Sequence, residues 1–118
     1  MTTARMLHNP RCSKSRQTLS LLEASGVEVE VVKYLEVPPT AEEILLLCDM
    51  LAKTPLEITR VKEPLFKELG YSKTDDRSNS EWAGILEANP KLLERPIVQI
   101  GDRAVLGRPP ENVELLLR

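Results

Sequence analysis

Along Val27-Glu28-Val29-Glu30-Val31 apolar and charged residues alternate with a period of two, and the apolar character continues through Val32 to Tyr34. That pattern predicts a half-buried strand. A second, shorter strand is expected at Arg5-Met6-Leu7-His8, stopped by the turn dipeptide Asn9-Pro10. Between the two, Leu19, Leu21 and Leu22 recur with helical spacing from Ser13 to Ser25, and Gly26 supplies a left-handed stop. Strand, helix and strand make a β-α-β unit, whose crossover helix implies parallel pairing and right-handed connection.

The middle of the chain reads as helical. Thr40-Ala41-Glu42-Glu43 has capping-box spacing and predicts a helix to about Lys53. Thr54-Pro55 opens a shorter one, with Thr as cap and Pro at the first helical position, reaching the neighbourhood of Arg60. Lys62 to Ser80 is polar, with short helical turns around Leu65 to Leu69. Ser78-Asn79-Ser80-Glu81 is a further capping box, before a helix buried along Trp82, Ile85 and Leu86 and ended by Asn89-Pro90. The last third predicts a β-hairpin, Ile97 to Ile100 and Arg103 to Leu106 around Gly101-Asp102, then a short helix from Glu111 to Arg118. This order is that of an α/β, thioredoxin-like fold: a mixed four-stranded sheet flanked by helices, in one domain over residues 1–118, with an inserted helical region at about 40–90.

Composition narrows the possible functions. At 118 residues the chain is long enough for one core, and its formal net charge of −2 gives no electrostatic ground for nucleic-acid binding. No apolar run approaches the roughly 20 residues of a membrane span, and no secretion signal opens the chain, so the expected location is cytoplasmic. With two cysteines, a disulfide framework is not expected. Cys48, beside Ile44-Leu45-Leu46-Leu47 on an amphipathic helix, reads as apolar filler. Cys12 differs. It stands where a strand gives way to a helix, among Arg11, Lys14 and Arg16 and near His8, the one histidine. Helix-terminal amides and cations favour a thiolate and also cradle an oxyanion, so nucleophile and anion site would coincide. Ser15 occupies the place of a second cysteine in a Cys-x-x-Cys pair, so the resolving thiol is expected to come from outside.

The run His8-Asn9-Pro10-Arg11-Cys12-Ser13-Lys14-Ser15-Arg16, followed by Tyr34-Leu35-Glu36-Val37-Pro38-Pro39-Thr40, Lys62-Glu63-Pro64, Glu68-Leu69-Gly70, Arg95-Pro96-Ile97-Val98 and Gly107-Arg108-Pro109, resembles the glutaredoxin-coupled arsenate reductase (ArsC) family. The short end after Arg108 resembles its short chromosomal branch. The resemblance implies reduction of arsenate to arsenite, with glutathione as co-substrate, glutaredoxin as protein partner, no tightly bound cofactor, no metal and a monomeric chain. It further implies Cys12 as nucleophile, His8 and Ser15 in its activation, and Arg60, Arg95 and Arg108 on the oxyanion, with Lys62 able to share the task of Arg60. A thioredoxin-like fold also implies a cis bond at Arg95-Pro96. Two other readings stand beside this one: an Spx-like thiol switch that binds RNA polymerase, and a glutathione-dependent thiol reductase acting on another substrate.

Overall fold

The computed structural model describes residues 3–117, which form two compact units. One comprises the chain up to Val37 together with Arg95 onward; the other is Pro38–Glu94.

The first unit is built on a four-stranded sheet in the order β2-β1-β3-β4, with β1 at Thr3–Leu7, β2 at Glu28–Val32, β3 at Ile97–Ile100 and β4 at Arg103–Leu106. β1 pairs parallel with β2 and antiparallel with β3, and β3 pairs antiparallel with β4. The parallel pair follows from the crossover helix α1, Ser13–Ala24, as expected. Gly26, at φ +78°, makes the left-handed turn out of that helix. The core lies between the sheet, α1 and a 3-10 segment at Pro110–Leu116, where Ala4, Met6, Leu22, Val98, Val113 and Leu116 are buried together.

Four boundaries differ from the pattern-based expectation. β1 begins earlier, at Thr3, and ends at Leu7, leaving His8 just beyond it. β2 stops at Val32 because the Lys33 carbonyl accepts from both the Glu36 and Val37 amides and closes a turn. The segment after Thr54-Pro55 is a single 3-10 turn, Leu56–Ile58, because Thr59 bridges Leu93 and the Arg60 amide donates to the Leu92 carbonyl, which draws the chain into an extended form. The final helix is also 3-10 and starts at Pro110; Arg118, the end of the expected helix, lies outside the described residues.

The second unit contains α2 (Ala41–Leu51), α3 (Pro64–Glu68) and α4 (Asn79–Ala88). Thr40 caps α2 by accepting from the Glu43 amide, and Ser78 and Glu81 form a reciprocal capping box on α4. Each such cap is worth about 1 kcal/mol of helix stability. α2 and α4 pack together, burying Ile44, Leu47, Trp82 and Leu86. Phe66, Tyr71 and Trp82 form an aromatic cluster with ring centroids 5.9–6.0 Å apart, and the Arg77 guanidinium sits 4.9 Å from the Tyr71 ring centre. Among the described residues no helix is long and apolar enough to cross a membrane.

Candidate active site

Cys12 is placed by the turn that precedes it. Asn9 and Pro10 take the first two positions of a β-turn, which Asn and Pro favour, and the Cys12 amide closes it on the Asn9 carbonyl at 3.0 Å. The Asn9 side chain accepts from the Arg11 amide, and Arg16 donates back to the Pro10 carbonyl at 2.9 Å. The loop is thereby tied to α1 on both sides. Cys12 itself is the N-cap of α1, where the Ser15 and Lys14 amides act on its sulfur without closing a full capping hydrogen bond.

The sulfur is partly exposed. Burial pushes its pKa up, but the backbone N–H groups of Ser15 and Lys14 and the positive charges of Arg95 and Arg108 outweigh that, and the net direction is down. The helix start contributes as the sequence predicted. The flanking cations do not: the two effective charges come from loops about 80 and 100 residues further along the chain, on the order expected when tertiary structure assembles a charged site. Cys48 behaves oppositely. It is 3% exposed, and burial, with Asp49 and Glu57 adding negative charge, pushes its thiol up to about 11.

His8 is buried at 6% exposure, and its Nδ1 lies 2.7 Å from the Ser15 hydroxyl oxygen. Burial lowers the His8 pKa, with Lys33 and Arg16 adding to the effect, so the ring is neutral at pH 7. The Asn9 amide donates to the same Ser15 oxygen at 3.1 Å, so the hydroxyl bridges the loop backbone and the imidazole. Ser15 therefore reaches Cys12 through its backbone N–H, while its hydroxyl joins His8 to the loop. A buried imidazole left without a partner would be costly, and the Ser15 hydroxyl meets that need.

Arg95 and Arg108 flank the loop. Arg108 donates to the Arg95 carbonyl at 3.3 Å, and both peptide bonds that follow, Arg95-Pro96 and Arg108-Pro109, are cis, the first as expected. Arg95 Nε is buried without a hydrogen-bond partner among the described residues. A buried, unpaired guanidinium donor near the thiol is a place where an oxyanion would find a donor within reach of the nucleophile. Arg60 belongs to the helical unit, where it pairs with Glu63 at 3.1 Å and donates to the Lys91 carbonyl. Lys62, in the same unit, is exposed. Among the described residues no group of three or more His, Cys, Asp or Glu side chains is placed to hold a metal ion.

Two positions were not singled out by sequence. Gly107 packs so tightly that a Cβ there would lie 2.7 Å from Thr18 Oγ1 and 2.8 Å from Pro96 Cγ. Its amide donates to the Pro96 carbonyl at 2.9 Å. Thr18, fully buried on α1, donates to the Lys14 carbonyl at 2.8 Å and has its hydroxyl 3.3 Å from the Gly107 carbonyl oxygen. This contact sets the spacing between the helix that presents Cys12 and the two arginine loops. The only sequence signal for it was a glycine directly before Arg108-Pro109.

The electrostatics predict a pH profile. Alkylation by iodoacetamide follows thiolate fraction, so Cys12 is expected to reach its half-maximal rate below the ordinary thiol pKa of about 8.5. Arg95→Met and Arg108→Met should each move that midpoint upward, slowing alkylation at pH 7, while Cys48 stays unmodified. Peptide mass spectrometry over a pH series measures both; a Cys12 profile matching that of a free thiol would refute the assignment.

The model of the ArsC family matches residues 7–116. An arsenate reductase of Neisseria meningitidis serogroup A is 45% identical over 121 residues, covering 99% of this chain and all of the relative. The uncharacterized protein YfgD of Escherichia coli strain K12 is 50% identical over 92% of each chain. Among solved structures, an arsenate reductase from Vibrio cholerae superposes with a TM-score of 0.91 at 41% identity, covering 97% of both chains.

Proposed function

The chain belongs to the ArsC family, and on that premise we propose that it reduces arsenate to arsenite at Cys12, with glutathione and glutaredoxin supplying the electrons. The observation that carries this reading is the buried, unpartnered Nε of Arg95 beside a thiol whose pKa is lowered by Arg95 and Arg108. Tetrahedral oxyanions match the planar donor fork of arginine, and that charge persists at every working pH. Arg60 is proposed as a further oxyanion ligand on the family resemblance, in exchange for its present partner Glu63.

In the first step the Cys12 sulfur attacks arsenic and one arsenate oxygen leaves as water, forming a sulfur–arsenic bond with arsenic still pentavalent. The backbone amides at the start of α1 hold the attacking thiolate, and the arginines offset the charge of the incoming anion. Glutathione sulfur then attacks the Cys12 sulfur. A disulfide forms, the sulfur–arsenic bond breaks, and its electron pair goes to arsenic, which departs as trivalent arsenite. Glutaredoxin removes the glutathionyl group and regenerates the thiol. The external thiol is supported by the site itself. Ser15 stands where a dithiol would place its second sulfur, and Cys48 is buried with a raised pKa. The same features weigh against a dithiol switch.

The test is a coupled assay with glutathione, glutathione reductase and glutaredoxin. NADPH oxidation is expected to depend on arsenate and on both glutathione and glutaredoxin, with one arsenite formed per NADPH. Absence of any arsenate-dependent rate would overturn the activity. A rate that persists without glutathione or glutaredoxin would overturn the proposed reductants alone.

A further inference from the structure

A second concavity opens at the carboxyl ends of the parallel strands β1 and β2, the end of an α/β sheet where ligands commonly bind. It measures about 240 Å³; one wall is the loop at residues 8–11, and the other is formed by Lys33, Leu35 and Glu36. Both walls are held by main-chain bonds. The His8 amide donates to the Val32 carbonyl at 2.8 Å, the Asn9 turn closes on Cys12, and the Glu36 and Val37 amides close on Lys33.

The lining is chemically specific. Arg11 and Lys33 bring two positive charges, Glu36 brings one negative charge, and Leu35, 44% exposed, adds an apolar surface. None of the three charged side chains takes part in an ion pair among the described residues. A ligand that satisfies them carries carboxylate and ammonium groups close together, as the zwitterionic end of an amino acid does. The volume lies below the 300–1,000 Å³ typical of a pocket that encloses a whole small molecule, so it suits one end of a longer ligand. Arg11 lines the cavity and Cys12 follows it at the usual ~3.8 Å between α-carbons. That separation is within the span of an extended tripeptide, roughly 10 Å, whose thiol is on its central residue.

We infer that this cavity binds the γ-glutamyl end of the thiol co-substrate, with Lys33 and Arg11 facing its single free carboxylate and Glu36 its ammonium group. The inference rests on the reading that an external thiol peptide turns Cys12 over. It adds what that reading lacks: a place on this chain that selects a γ-glutamyl thiol over a simple one. The three residues are positioning residues and take no part in the bond changes.

Calorimetric titration with S-methylglutathione, which cannot react, isolates binding from turnover. Wild-type protein is expected to show saturable binding, and Lys33→Glu and Glu36→Lys are each expected to weaken it by about fivefold or more, as reversal of exposed charges allows. In turnover, Glu36→Lys should raise KM for glutathione while leaving the rate with 2-mercaptoethanol, which has neither charge, unchanged; Lys33, whose charge also acts on His8, is read from binding alone. The milder Lys33→Met and Glu36→Gln provide the same comparison should a reversal unfold the loop, and an unaltered Cys12 alkylation profile confirms an intact site. Binding that is insensitive to all four substitutions, or an equal change with both thiols, would overturn the inference. The two readings also separate: arsenate turnover with a glutathione KM indifferent to Glu36 removes the cavity assignment alone, whereas S-methylglutathione binding that depends on Lys33 and Glu36 without any arsenate turnover removes the activity alone.

Discussion

Serine in place of Cys12 is expected to lower arsenate turnover by at least about a thousandfold, the scale on which enzymes lose activity with their nucleophile. The hydroxyl is not ionised near neutral pH, so the backbone amides and arginines that favour a thiolate have no anion to stabilise. A second reason goes deeper than nucleophilicity. In the proposed reaction arsenic gains its two electrons when two sulfurs join as a disulfide, and an oxygen at position 12 offers no such partner. Binding of the oxyanion should survive, since Arg95 and Arg108 are untouched. The coupled assay measures the loss, and arsenate-induced thermal stabilisation measures the binding; a serine variant retaining more than a few per cent of the rate would show that another group performs the attack.

Alanine at Gly107 is expected to destabilise the protein by about 1–3 kcal/mol, the usual cost of forcing a methyl group into a filled interior. The added carbon would meet Thr18 Oγ1 at 2.7 Å, Pro96 Cγ at 2.8 Å and Thr18 Cγ2 at 3.0 Å. Neither neighbour yields easily: Thr18 is branched and fully buried, and Pro96 is a ring. Thermal unfolding should shift down by several degrees. Adding Thr18→Ala removes two of the three close contacts, so the double variant should be more stable than the sum of the single effects predicts, a coupling that distant sites do not show. Function offers an independent readout, because Arg108 is the next residue. Its displacement should raise the Cys12 pKa and slow alkylation at neutral pH. A Gly107→Ala protein with unchanged melting and unchanged alkylation would remove the packing role.

These two positions also mark the limit of what could be read from the chain. Helix starts were legible wherever the deciding interaction is local: Thr40 with Glu43, Ser78 with Glu81, and the Asn9-Pro10 turn into α1 each involve residues three or four apart. The hairpin was legible because Gly101 takes the positive φ that its turn requires. The 3-10 turn at Leu56–Ile58 was not, since the bond that stops a helix there runs from Arg60 to Leu92, across more than 30 residues. β2 was overextended for a smaller reason. Strand-favouring residues run on through Val32 to Tyr34, but the carbonyl of Lys33 is taken by its own turn.

By itself, then, the sequence determined the β-α-β start, the capped helices, the hairpin, the placement of Cys12 at a helix N-terminus and, through motif resemblance, the family. All of these depend on interactions within a few residues or on the order of residue types. Only the tertiary structure decided which charges act on Cys12, that the Ser15 hydroxyl serves His8, that Arg95 Nε has no partner among the described residues, and that Gly107 sits against Thr18 and Pro96. Electrostatic and packing energies depend on distances through space, and the chain closes those distances only when β3 and β4 join the sheet beside β1.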